Sequence, residues 1–247
     1  MTPPFPPPYS DVRHALDDVR AHGFAALPAQ GLADVAGVGV PDLRAFEPDW
    51  ASLPPDTYLK DGGRYRSRRH SCFVVDGAGV RQVPHRAHWQ PLDYNALHGG
   101  MHRMFEPVAP ATVARPAWPA LLRGLGAWCS ALKGERPWYV EAHQFRIDTA
   151  DGIGRPTPEG AHRDGVDFVA VILLGRHRIK GGETRVFQAD GPDGQRFTLV
   201  EPWSLLFLDD ARMIHESTPI QPASEDGPGH RDTLVLTYRA GAFLGDD

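Results

Sequence analysis

Apolar positions recur at helical spacing in the first half of the chain and in strand-length runs in the second. After a Pro-rich arm (residues 1–8), Ser10 or Asp11 can cap a helix with an apolar face of Val12, Ala15, Leu16 and Val19, and Gly23 stops it. Residues 41–53 form a weaker helical candidate, and residues 64–84 resemble a hairpin turning at Asp76-Gly77-Ala78-Gly79. The strongest helix spans 118–132, where Leu121, Leu122, Leu125, Trp128, Cys129 and Leu132 make one stripe that packs a core. From Trp138 the chain reads as strands at 138–148, 167–175, 184–190, 196–201, 204–209 and 232–239, separated by turns such as Gly191-Pro192-Asp193-Gly194. Short, closely spaced strands following helices predict a mainly β, α+β fold: a sandwich or barrel with the helices packed outside. No internal repeat or linker divides it. We therefore expect one domain over 1–247, with 1–60 as helical support and 138–240 as the β core.

Composition narrows the function classes. Net charge is −5, from 26 basic and 31 acidic residues, and the basic residues are scattered, so a nucleic-acid role has no electrostatic support. The densest basic run, Arg64-Tyr65-Arg66-Ser67-Arg68-Arg69-His70, suits a small-anion site or a solvated strand better than a DNA-binding helix. Cys72 and Cys129 sit in no paired-Cys motif, which removes zinc-thiolate and disulfide-framework readings and points to a reducing compartment. The N-terminus has no charged segment followed by an apolar core, and no stretch approaches roughly 18 apolar residues. The expectation is a cytoplasmic protein with no membrane partner.

The candidate chemistry lies in the C-terminal half. His162 and Asp164 are two residues apart and His215 lies far downstream, the ligand set of a 2-His-1-carboxylate facial triad that holds Fe(II) and leaves positions open for a cosubstrate and O₂. Arg231, on a later strand, offers the bidentate fork that a dicarboxylate such as 2-oxoglutarate needs. With 12 His in the chain, roughly one His-x-Asp is expected by chance, so the tripeptide alone decides nothing. His162-Arg163-Asp164 is favoured by position, between the turn-rich loop 151–160 and the apolar run 167–175. The other, His230-Arg231-Asp232, has no downstream His to complete a triad. A kinase reading fails for want of the catalytic-loop Asn and a Gly-rich phosphate loop, and His215-Glu216 lacks the second His of a zincin helix.

Several blocks then match in order: Glu141-Ala142-His143-Gln144-Phe145-Arg146, His162-Arg163-Asp164, Gly181-Gly182-Glu183-Thr184, His215-Glu216-Ser217-Thr218-Pro219, and residues 231–238. Over residues 60–240 the chain resembles the bacterial 2-oxoglutarate/Fe(II) dioxygenases typified by L-isoleucine dioxygenase. It departs from that pattern at Gly165, where an acidic residue occurs, and at Glu183-Thr184, where Asp-Asn occurs, so isoleucine itself is not implied. The resemblance implies a double-stranded β-helix, a cupin-like jelly roll, with His162, Asp164 and His215 as iron ligands. It also implies 2-oxoglutarate and O₂ as cosubstrates, with Arg231 on the far carboxylate and Thr233 adding a hydrogen bond. An acidic ligand at 164 favours hydroxylation over halogenation. Gln144 and Arg146 share one face of their strand, which is either solvated or lumenal; in the lumen they would contact the cosubstrate or a substrate carboxylate. Arg66 and Arg68 are further candidates for the substrate, while His143 reads as structural. The leading reading is hydroxylation of a small polar metabolite, a free L-amino acid foremost. A dioxygenase of a macromolecular substrate and a non-catalytic metal-binding jelly roll stay open, and the sequence does not set the oligomeric state.

Overall fold

A computed structural model describes residues 5–95 and 97–246; the first four residues of the Pro-rich arm lie outside the described residues. The order of elements is α1 (Ala15–His22), β1 (Phe24–Leu27), α2 (Ala29–Ala36), α3 (Val40–Arg44), a 3₁₀ turn (Glu47–Ser52), β2 (Arg66–Asp76), β3 (Gly79–Gln82), α4 (Pro110–Val113), α5 (Ala117–Lys133), β4 (Trp138–Asp148), β5 (Phe168–His177), β6 (Ile179–Gly181), β7 (Thr184–Gln188), β8 (Gly194–Phe197), β9 (Ser204–Asp209), β10 (Met213–Ser217), β11 (Ile220–Pro222) and β12 (His230–Ala240). The apolar stripes at 118–132 and 138–148 became α5 and β4 nearly to the residue. The first helix begins at Ala15, not at Ser10 or Asp11, because Asp11 accepts from the backbone N–H of Arg13 and no side chain caps α1. The expected strand 196–201 is instead Gly194–Phe197, and the strand expected at 184–190 ends at Gln188.

Seven antiparallel strands form the larger sheet in the order β1-β9-β5-β12-β4-β2-β3. Facing it are the smaller sheet β10-β7-β8 and the pair β11-β6. Together they make the expected double-stranded β-helix. The outer face of the large sheet is covered by helices, with Leu121, Leu125 and Cys129 of α5 buried against Leu234, Leu236 and Tyr238 of β12. A second apolar cluster fills the lumen floor with Val169, Leu173, Val186, Phe197, Leu206 and Met213. Residue alternation therefore assigns every strand position to a side. On β12 the even positions 234 to 238 meet the helices, so Arg231, Thr233, Val235 and Thr237 face the lumen. Trp50 locks this arrangement from outside, its Nε1 donating to the carbonyls of Phe145 and Thr233 at 3.1 Å each. A one-residue register slip between β12 and β5 falls at Asp232–Thr233, beside Arg231. Among the described residues no helix is long and apolar enough to cross a membrane.

Candidate active site

The two candidate histidine ligands are fixed by backbone pairing. His162 lies outside the named strands but bridges His215 of β10, with N–H to carbonyl bonds of 3.0 and 2.9 Å in both directions. Two residues directly opposite in such a pair project to the same side, and the ring centroids stand 4.6 Å apart. Asp164 follows two residues after His162 and turns its carboxylate between them: Oδ1 is 3.8 Å from His162 Nε2, and Oδ2 is 3.8 Å from His215 Nε2. All three candidate ligand atoms lie within 4.8 Å of one another, a gap that a divalent ion with ligands at about 2.0–2.2 Å closes with small side-chain adjustments. The orienting contacts are also present. His162 Nδ1 donates to the Gly160 carbonyl at 2.9 Å, which leaves Nε2 as the lone pair facing Asp164. Gln90 Nε2 donates to Asp164 Oδ1 at 3.1 Å. Asp210 accepts from the backbone N–H groups of Asp164, Gly165 and Val166, and so holds the turn rigid.

The electrostatics suit a cation. Burial, then His162, holds His215 far below the usual imidazole range, so it is neutral, the form that ligates. Burial pushes the Asp164 carboxyl up; His162 pulls it back and Glu159 pushes it further up. At His162, burial is outweighed by Asp164 and Glu159, which raise it. Two imidazoles and a carboxylate on one face, with His162 and Asp164 each oriented by a second group, fit Fe(II).

Arg231 lies on the lumen face of β12, 3% exposed. Its Nε and Nη2 are buried without a hydrogen-bond partner among the described residues, because the neighbouring Asp232 binds Arg146 through two bonds of 2.8 and 2.7 Å. Burial, with the nearby Arg176, pushes Arg231 down to about 9, so it stays protonated at neutral pH. A buried, unpaired guanidinium beside the metal ligands fits the distal carboxylate of a keto diacid, and Thr233 lies two residues on along the same face. One continuous pocket, open to solvent, joins Arg231 to the triad.

The other sequence candidates divide. Arg66 and Arg68 do line this pocket. Arg66 Nε donates to Asp56 at 2.7 Å, and Arg68 Nη1 lies 3.8 Å from the same carboxylate. The Arg68 guanidinium also sits between the rings of Phe105 and Phe145, 3.8 and 4.4 Å from their centroids. Gln144 and Arg146 do not reach the pocket. On β4 the even positions Val140 and Ala142 pack against the helices, so Glu141, His143, Phe145 and Ile147 face the lumen instead. The expectation of lumenal Gln144 and Arg146 is corrected by that alternation, while His143, read as structural, lines the pocket. The sequence reading missed Glu141, Glu159, His88, Gln90 and Arg103, all of which line the pocket. Glu141 was legible by its alternation with His143. His88, Gln90 and Arg103 lie in the irregular segment between β3 and α4, where no periodicity marks a face.

Glu141 organises a second buried cluster. His70 Nε2 is 2.8 Å, His88 Nδ1 2.6 Å and His143 Nε2 3.6 Å from its Oε2. The four residues have metal-ligand spacing, yet Arg68 Nη2 is 2.7 Å from His143 Nδ1. A guanidinium only donates, so Nδ1 accepts and neutral His143 carries its proton on Nε2, toward Glu141. The cluster is therefore a hydrogen-bond network of N–H groups on one carboxylate. Burial alone would raise Glu141, but His88 and His70 outweigh it and hold the carboxyl well below its usual range.

Comparison with known proteins follows the geometry. The sequence model of the 2OG-Fe dioxygenase family matches residues 47–237. The crystal structure of a BsmA homologue from Methylobium petroleophilum PM1 is 51% identical, with a TM-score of 0.92 and 97% of each chain covered. Two more distant structures share the fold. IDO from Bacillus thuringiensis is 17% identical with a TM-score of 0.72, covering 94% of this chain and 100% of its own. The Fe(II)/α-ketoglutarate-dependent dioxygenase TqaL is 18% identical with a TM-score of 0.73, covering 95% of this chain and 88% of its own. No curated protein sequence matches the chain.

Proposed function

The chain belongs to the 2OG-Fe dioxygenase family, and from that premise we propose that it hydroxylates a small zwitterionic substrate, a free L-amino acid. The family's cofactor is Fe(II), with 2-oxoglutarate and O₂ as cosubstrates. In this reading His162, Asp164 and His215 hold the iron, and Arg231 with Thr233 holds the far end of the keto acid. Bound together, iron and keto acid supply the oxidising chemistry: one oxygen atom of O₂ goes to succinate as CO₂ leaves, and the other goes into a substrate C–H bond.

The protein's part is positioning and exclusion of water. Gly160 and Gln90 keep two metal ligands in register, from His162 and Asp164 respectively. Phe145, Val166, Val171 and Val235 line the pocket with apolar surface, which keeps bulk water from the reacting centre. The observation that carries the amino-acid reading is the charge pattern of the walls. Four guanidiniums (Arg66, Arg68, Arg103 and Arg231) stand with four carboxylates (Glu141, Glu159, Asp164, and Asp56 behind Arg66). A divalent metal and a doubly charged keto acid add nothing to that balance. A third guest in so buried a site is best accommodated with zero net charge, yet the walls offer it both signs.

The test is succinate release by the iron-loaded enzyme across the common L-amino acids, with N-acetyl and amide derivatives as controls. At least one free amino acid should raise the rate well above the substrate-free background, and its blocked derivatives should not. A panel in which no amino acid stimulates release would remove this reading and move a macromolecular substrate ahead, leaving fold and metal site as they are.

A further inference from the structure

Every guanidinium facing the pocket keeps a buried nitrogen without a hydrogen-bond partner among the described residues, but Arg103 alone of them touches neither a carboxylate nor the keto-acid end, and Glu159 touches no guanidinium. Arg66 is bonded to Asp56, and Arg68 is held by His143 and two aromatic rings. Arg231 lies at the keto-acid end, and Asp164 belongs to the triad. Glu141 accepts from His70 and His88. Arg103, 2% exposed, is different. Its Nη2 donates only to the neutral Gln90 Oε1, at 3.1 Å, and its Nε is buried without a partner among the described residues. Glu159 is the complementary case. Its Oε1 is 3.6 Å from His162 Nε2, and its Oε2 is buried without a partner. A buried guanidinium and a buried carboxylate oxygen left in this way are each destabilising unless a ligand satisfies them.

We propose that Arg103 and Glu159 are the two poles of the substrate receptor, Arg103 taking the carboxylate and Glu159 the ammonium of an α-amino acid. This rests on the amino-acid reading above and names the residues that carry it. Gln90 ties the receptor to the metal site: its Oε1 accepts from Arg103 and Asn95, and its Nε2 donates to Asp164. The ammonium pole adjoins His162, so an amino acid held at both ends brings its α-carbon region beside the iron. Binding and reactive placement are then set by the same contacts. The acceptor role of Glu159 also predicts rejection of an N-acylated amino acid: the amide has lost its charge and two of its N–H donors.

The experiment reads binding separately from turnover. In the anaerobic protein loaded with Fe(II) and 2-oxoglutarate, an amino acid that binds beside the iron perturbs the visible charge-transfer band. Wild type, Glu159→Gln and Arg103→Gln are titrated with an active amino acid, with the matching 2-hydroxy acid, and with the matching primary amine. Glu159→Gln should weaken the amino acid by tens of fold or more and leave the hydroxy acid within about twofold. Arg103→Gln should weaken both acids to that degree and leave the amine unchanged. The band itself and the affinity for 2-oxoglutarate should persist in both variants, which a merely structural role would not allow. If Arg103→Gln loses the band, Arg103→Lys replaces it and should bind the acids with intermediate affinity. Equal weakening of amino acid and hydroxy acid by Glu159→Gln, or loss of Fe(II) affinity in that variant, would overturn the assignment. Failure of every amino acid to perturb the wild-type band would instead remove the amino-acid reading and this receptor with it. Binding by wild type and variants alike would remove the receptor alone.

Discussion

Arg231 is the residue whose environment asks most directly for a ligand. Its guanidinium is buried, its neighbouring carboxylate is bonded to Arg146, and two of its nitrogens have no partner among the described residues. Losing a charge-assisted bidentate pair in such a site costs roughly 2–5 kcal/mol. Arg231→Ala should therefore weaken 2-oxoglutarate by tens to thousands of fold while Fe(II) affinity stays near that of wild type. Arg231→Lys should recover only part, because an ammonium cannot reproduce the planar fork. Titrating keto acid into the Fe(II)-loaded variants checks both, and a normal titration of Arg231→Ala would show that another cation holds the diacid. At this scale the sequence was readable where residue type and spacing coincide, as with His162, Asp164 and His215. It misled at Arg146, because alternation says that two residues share a face without saying which face is inside. Arg103 and Glu159 gave no signal, since a loop residue's direction depends on contacts far away in sequence.

Among the elements, length and apolar density decided what could be read. α5 and β4 each bury a long periodic face, and their bounds followed from it. β1, with four residues, and β10, with five, are too short to show a period, and β10 leaves three of its five positions partly exposed. Those two strands are defined by their partners: β1 by Leu205–Leu208 of β9, and β10 by Thr184–Gln188 of β7. The helical layer shows the same dependence on neighbours at Gly124. Within α5 an alanine is worth about 1 kcal/mol more than a glycine by helix propensity. Here, however, a Cβ would stand 2.2 Å from the Val35 carbonyl oxygen of α2 and 2.9 Å from its carbon, both backbone atoms that cannot rotate away. Overpacking of this kind costs about 1–3 kcal/mol or more, so the clash outweighs the propensity gain. Gly124→Ala should lower unfolding stability in urea, with circular dichroism as the readout. A stabilised variant would mean that α2 and α5 do not approach so closely.

For the whole molecule, the network around Glu141 makes stability depend on pH. Burial, only partly offset by Glu141, brings His88 down to about 4, below the unfolded value of about 6.5. The fold thus favours its neutral form, and below pH 6.5 the unfolded chain binds the proton more readily. Stability from His88 is full above that value and is lost as pH falls from 6.5 toward 4. Glu141, held low, adds a loss in the same direction once pH falls below the unfolded carboxylate value of about 4.3. Asp210, raised to about 7 by burial and Asp164, pulls the other way in wild type and variant alike, so the check is the difference. Between pH 6.5 and pH 4 the urea midpoint of wild type should fall relative to that of His88→Leu, and a difference that does not change with pH would contradict the network. The jelly roll brings this network, the triad and Arg231 to one lumen, and the account stands or falls on what that lumen binds. Anaerobic titration of the purified protein with Fe(II) and then 2-oxoglutarate addresses it most directly. One Fe(II) per chain should bind, and 2-oxoglutarate should then raise a visible charge-transfer band that Asp164→Ala and His215→Ala lack. A wild-type protein with no band, or a band of full strength in either variant, would contradict the assignment of His162, Asp164 and His215 as the iron site.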